Sequence, residues 1–372
     1  MAVQRPAVLG FRCERTSKGA GGDNMAADFI GIARWWRPTP AFMVAIVTAL
    51  AVALGGTASA LSATGATADT ESGAHLARAL KITVLVTNVA GDPKAGDGEW
   101  GYSALVEVDG HKILYDTGAS ADMVIKNAAA LHVDLSDVED VVLSHNHSDH
   151  VGGLMTLRRE FAKVNPRAMS RVHVGAGIFE PRLDAAGEDN NGLRLIRAQY
   201  LATGGAFVVH ERPDELLPGV WFSGPVPRPN PEKNWSPGLT LAAADGRKED
   251  NVPEDSALLF NTGEGLVVLT GCGHAGIVNI VEYARSKLGG KPIVAVVGGL
   301  HLFSASDQTL AWTGEKLKDY QIENLLAGHC TGIEATYRLR EATGLTRKTA
   351  VVSVTGSSFT LGRGIDARRL AQ

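Results

Sequence analysis

Four metal-ligand side chains fall inside one six-residue window of this chain, His145-Asn146-His147-Ser148-Asp149-His150, and Gly152-Gly153 follow at once. The run before it, Asp140 to Ser144, reads as a short buried strand, which puts the ligands on the turn where that strand ends. Two histidines separated by one residue at a strand end can converge on one ion. Asp149 and His150, just beyond, then face a neighbouring position. Neutral imidazole and carboxylate are the ligands that zinc and similar first-row ions take in catalytic sites. The window predicts a pair of divalent ions sharing a water. The bland alternative, a solvated histidine-rich loop, gives no reason for three imidazoles and a carboxylate to crowd together.

Three further histidines stand directly after apolar runs in glycine-rich turns. His274 lies in Thr270-Gly271-Cys272-Gly273-His274-Ala275-Gly276, His301 in Gly298-Gly299-Leu300-His301-Leu302, and His329 in Ala327-Gly328-His329-Cys330-Thr331-Gly332. Glycines there let the backbone turn sharply and approach a ligand. One such histidine would be weak; three, beside a ligand cluster, read as the rest of a coordination sphere or as catalytic groups. Asp116 is a candidate acceptor for fixing the tautomer of a ligand histidine. His75, His111, His132, His173 and His210 read as surface or satisfied histidines, with His173 the one nearest the site in sequence pattern.

The 372 residues are 45% apolar, with 43 Gly and 20% charged residues, a composition that suits an α/β enzyme rich in tight turns. A formal charge of −4 with scattered Lys and Arg argues against nucleic acid as a partner. The first 60 residues differ from the rest. Arg34-Trp35-Trp36-Arg37 precedes an uncharged apolar run, Ala41 to Leu54, which is short for a membrane span. Ala58-Ser59-Ala60 then matches a small-x-small cleavage pattern, so residues 1–60 read as an N-terminal extension and signal peptide cut after Ala60. The expectation is an exported, periplasmic or secreted protein without stable membrane association once cleaved. Residues 61–78 read as a flexible lead-in, and 79–372 as a single domain. An oxidising compartment permits a Cys272–Cys330 bridge, but both thiols sit beside site histidines and are expected to line the site instead.

Lys81–Thr87, Ser103–Val108 and Lys112–Tyr115 alternate as strands, the last two joined by the hairpin signal Asp109-Gly110. Ser120 is expected to cap a helix to about Leu131, and a second helix to run from Leu154 to Val164. Residues 180–251, rich in Pro, Gly and Asn, read as irregular loop over the site. Strands at 256–261, 265–270 and 292–297 follow, with helices near 277–287 and 308–320. Strands and helices alternating in two similar halves predict an α/β (α+β) fold, two mixed sheets face to face with helices outside.

These motifs resemble the metallo-β-lactamase superfamily: His145-x-His147-x-Asp149-His150 with Gly152-Gly153, and Asp116-Thr117-Gly118 upstream. The resemblance spans roughly residues 80–360 and implies an αββα sandwich with a metal site at one edge of the sheets. Glu99-Trp100-Gly101-Tyr102-Ser103, the 270–276 run, the 298–302 run and His329-Cys330-Thr331-Gly332 are similar to a branch named for a dihydropterin-methyl ribofuranosylaminobenzene phosphate synthase. It implies His145 and His147 on a first metal, Asp149 and His150 on a second, and His329 as the closing histidine. Cys272 falls where a bridging ligand would lie, and His274 is favoured as the ligand with Cys272 as its neighbour. The His-Pro that many members carry after the first helix is absent, Gly175-Ala176 standing in its place. The expected activity is a hydrolase for a small ester, lactone, phosphodiester or related molecule, using two divalent ions, Zn2+ foremost, with Fe or Mn also suited. Asp149 would hold metal and orient the hydroxide, and His301 would protonate the leaving group. A synthase or transferase of the same fold, a β-lactam hydrolase and a non-catalytic metal-binding protein are the competing readings.

Overall fold

The apolar side chains along each central strand divide between two cores, and this division builds the molecule in layers. On the strand Ala257–Asn261, Leu258 and Phe260 face one core while Ala257 and Leu259 face another; on Leu266–Thr270, Val267 and Leu269 separate from Leu266 and Val268 in the same way. Strands buried on both faces need such near-continuous apolar runs. The computed structural model describes residues 75–235, 238–243 and 246–371. The expected signal segment, its cleavage after Ala60 and the lead-in through residue 74 lie outside these.

One eight-stranded sheet runs, in spatial order, Gly364–Asp366, Ser358–Thr360, Leu80–Val86, Ser103–Val108, His111–Tyr115, Asp140–Leu143, Arg171–Gly175 and Ala206–His210. A seven-stranded sheet runs Ala350–Val352, Asn324–Ala327, Ile293–Gly298, Leu266–Thr270, Ala257–Asn261, Val220–Phe222 and Asp214–Leu217. Both are mixed. Antiparallel pairing holds from Gly364–Asp366 through His111–Tyr115 in the first and from Asp214–Leu217 to Leu266–Thr270 in the second; parallel pairing takes over beyond those strands. Ile82, Val84, Val142, Leu258, Val267 and Val297 fill the core between the sheets. The helices Met123–Ala130, Leu154–Phe161 and Gly192–Ala202 cover the outer face of the first sheet; Ile277–Lys287, Asp307–Asp319 and Ile333–Thr343 cover the second. The αββα arrangement is as expected.

Local differences have local causes. The hairpin turns at Asp109 and Gly110, whose φ angles of 46° and 83° suit a primed two-residue turn. Ser120 does not cap the first helix, which begins at Met123 after Asp122 with no side-chain cap bond. The amides of Ala119 and Ser120 are instead taken by Glu99 Oε1, at 3.0 and 3.1 Å, and residues 119–122 form a turn. Residues 180–251 are not simply loop. They hold the helix Gly192–Ala202, the strands at one edge of each large sheet, and a hairpin of Thr240–Ala243 with Gly246–Glu249. Edge strands such as Ala206–His210 are largely exposed and so lack the alternation that marks the central ones. The last residues of the expected lead-in join the fold, with the Ala77 N–H bonded to Asn261 O at 2.8 Å.

Candidate metal centre

The parallel strands of both sheets deliver their carboxyl ends to one place. Asp140–Leu143 leads to His145, Leu266–Thr270 to Cys272 and His274, Ile293–Gly298 to His301, and Asn324–Ala327 to His329. Close approach of the ligand loops depends on Gly271, where a Cβ would stand 2.1 Å from Ser144 Oγ and 2.5 Å from Asp116 Oδ2. Asp116, His301 and His329 hold left-handed backbone, with φ of 54°, 47° and 50°. Such conformations cost energy in residues with side chains and concentrate at functional sites.

Two trios of ligand atoms form, each within 4.8 Å of one another: His145, His147 and His274, and Asp149, His150 and His329. Cys272 joins further groups with His145 and His150, with His274 and His301, and with His329 and Cys330. All six side chains expected to hold metal are thus brought together. His301 stands beside them, its ring centroid 4.5 Å from that of His274. Cys272 and Cys330 are free, buried thiols at the same centre. His173 does not belong to it; its Nδ1 meets His210 Nε2 at 3.0 Å and its Nε2 meets Asp140 at 3.1 Å.

Oxygen partners fix the ring tautomers. Asp116 Oδ2 accepts the Ser144 hydroxyl at 2.8 Å, so the Ser144 oxygen is left to accept from His145 Nδ1, also at 2.8 Å. His150 Nδ1 donates to Asp116 Oδ2 at 2.7 Å, His274 Nδ1 to Asn234 O at 2.5 Å, and His329 Nδ1 to Asn88 Oδ1 at 3.1 Å. In all four rings Nδ1 is spent on an oxygen, and the Nε2 lone pair turns inward. The consequence is an unsatisfied interior. His145 Nε2 and His274 Nε2 are buried without a hydrogen-bond partner, while His150 Nε2 lies 3.2 Å from His329 Nε2 and 3.1 Å from Cys272 Sγ. Buried lone pairs directed at one another call for a cation. The residues present therefore fit divalent metal.

Electrostatics agree. Burial, reinforced by the neighbouring imidazoles, holds His145 and His274 well below the usual histidine range. Burial also takes His147 down to about 4, against the pull of Asp149. These three are neutral and free to ligate. Burial opposes charge on His150 too, yet Asp116 and Asp149 push it up to about 9, favouring a proton on Nε2 that a bound cation would displace. Asp149 is disfavoured by burial but held below the usual carboxylate range by His150, His329 and His147.

Asn88, Ser144 and Asn234 were not singled out by the sequence, because an oxygen that orients a ring carries no spacing signature. Beside the centre, His301 lines a cleft of about 490 Å³ with Trp235, Trp312, Ser306 and Thr309. On another side, Trp100 stands edge-on to His329 at 5.3 Å and to Phe303 at 5.9 Å.

A family model described as the metallo-beta-lactamase superfamily matches residues 98–289. The chain is 30% identical over 264 residues to the 7,8-dihydropterin-6-methyl-4-(beta-D-ribofuranosyl)-aminobenzene-5'-phosphate synthase of Methanocaldococcus jannaschii, covering 69% of this chain and 89% of that protein. An uncharacterized protein of the same organism is 29% identical over 263 residues, covering 70% and 94%. Among solved structures, Tm1679, a metal-dependent hydrolase of the β-lactamase superfamily, aligns with a TM-score of 0.59 and 28% identity over 75% of this chain and 98% of its own. Sequence, layered architecture and strand-end ligand loops agree, and the chain belongs to the metallo-beta-lactamase superfamily.

Proposed function

We propose that the protein is a metal-dependent hydrolase, binuclear and exported, acting on a small ester, lactone, phosphodiester or related molecule. The observation that carries this reading is the inward set of Nε2 lone pairs, with His145 Nε2 and His274 Nε2 buried and unpartnered. His145, His147 and His274 would hold one ion and Asp149, His150 and His329 the other, with Cys272 within reach of both sets. Zn2+ suits these donors best, and Fe or Mn also fit them. Divalent ions there would lower the pKa of water and polarise a carbonyl or phosphoryl oxygen.

The chain's own residues supply the rest. Asp149, partly exposed at the rim of the cluster, orients the attacking water. His301, whose Nδ1 is buried without a partner, faces both the centre and the cleft, where a substrate's leaving group would take a proton from it. Trp235 and Trp312 give the cleft apolar walls for a small molecule.

A panel of ester, lactone, phosphodiester and β-lactam substrates, run on protein of measured metal content, tests this. His147→Ala and Asp149→Ala should abolish metal loading and turnover while leaving the fold intact. Full activity in either variant would sink the mechanism. The 30% identity to a synthase named for a dihydropterin compound supports a second reading, a synthase or transferase on the same centre. Metal-loaded protein that hydrolyses nothing in the panel but consumes a dihydropterin substrate would favour it. Metal without any turnover would favour a binding protein.

A further inference from the structure

The two ligand loops of the first trio come from different sheets, and one short segment touches both. Glu254-Asp255-Ser256, which leads into the strand Ala257–Asn261, is buried throughout. Glu254 Oε1 accepts the N–H of Asn146, between His145 and His147, at 3.3 Å. The Ser256 N–H donates to Ser144 O at 3.0 Å, and Ser256 O accepts from the Tyr115 hydroxyl at 3.1 Å. Asp255 Oδ2 accepts the N–H of Ala275 at 2.8 Å, with the amide of His274 beside it. We infer that this tripeptide is a clamp that sets the spacing of the two loops, and that Asp255 is the positioning residue for His274. This rests on the reading of His145, His147 and His274 as one metal set.

Two observations separate a clamp from ordinary packing. The first is chemical. Glu254 is paired with Arg182, itself held by Asp250, but Asp255 makes no ion pair among the described residues and its Oδ1 has no partner. A buried carboxylate with an idle oxygen is costly for filling space, whereas by accepting the Ala275 N–H it can hold the backbone that carries His274. The second is steric. A Cβ at Gly175 would stand 2.3 Å from Glu254 O and 2.7 Å from Ser256 Oγ. The clamp therefore occupies the room a side chain at 175 would need. The third imidazole comes instead from His274, in the opposite half of the molecule.

Chelator competition with Zn2+ on the full chain tests this, with His274→Ala, Asp255→Ala, the double variant and Asp255→Asn. His274→Ala should weaken one of two Zn2+ equivalents. Asp255→Ala should weaken that same equivalent roughly 10- to 100-fold, and the double variant should bind no more weakly than His274→Ala alone. Asp255→Asn, whose carboxamide oxygen can still accept the Ala275 N–H but without charge assistance, should lose only several-fold. Wild-type affinity in Asp255→Ala, or losses that multiply in the double variant, would overturn the inference. Should Asp255→Ala not fold, Asp255→Asn decides: a several-fold loss confined to that equivalent supports the clamp, and unchanged affinity overturns it. Full affinity for both equivalents in His274→Ala would overturn the reading of the centre itself.

Discussion

Asp116 shows how much of the centre depends on one side chain that need not touch metal. Its Oδ1 accepts the Ser144 N–H at 2.8 Å, and its Oδ2 accepts both the Ser144 hydroxyl and His150 Nδ1. Through Ser144 it also decides which nitrogen of His145 faces inward. An amide at this position would turn an NH2 group toward one of these donors. Asp116→Asn should weaken metal retention roughly 10- to 100-fold with an unchanged far-ultraviolet circular dichroism spectrum; chelator competition measures it, and wild-type retention would refute the role. At this scale the sequence was readable where spacing encodes chemistry. His145 to His150 is contiguous, and the glycine-flanked His274 and His329 stand out. It was silent on Asn88, Asn234 and Asp255, which act through the direction of a hydrogen bond that only the folded chain defines.

Among the elements, the helix Ile277–Lys287 was placed to the residue by its sequence, yet its start is held by a group far away in the chain. Glu232 accepts the N–H of Val278 at 3.2 Å and of Asn279 at 2.9 Å, satisfying amides that an α-helix leaves open. Burial pushes the Glu232 carboxyl up to about 7, against the two amides that favour its charge. A carboxyl whose folded pKa lies above its unfolded value contributes stability that is full below about pH 4.5 and is lost as pH rises through about 7. The effect is at most about 3 kcal/mol. Thermal midpoints between pH 5 and 8 should therefore fall more steeply for the native protein than for Glu232→Gln. Parallel pH profiles would rule the effect out. The outer strands between residues 206 and 217 fell within a segment read as irregular loop for a related reason. Their pairing partners, not their own half-exposed side chains, make them strands.

For the molecule as a whole, what matters is that the proposed ligand set is divided between the two sheets. His145, His147, Asp149 and His150 follow a strand of one, and His274 and His329 follow strands of the other. An ion bound by both halves joins them only in the folded state, and a thousandfold excess over Kd adds about 4 kcal/mol of stability. Chelation should lower the melting temperature by several degrees in the native protein and by less in His145→Ala or His274→Ala, each of which weakens one of the two sets; equal shifts in all three would contradict a shared centre. The layered architecture was legible because its central strands are apolar on both faces, a pattern that only a doubly covered sheet requires. Trp100 adds a practical consequence. An indole that is half open to solvent yet edge-on to His329 should shift its emission when that imidazole is engaged, a component that Trp100→Phe would remove from the summed signal of the six tryptophans.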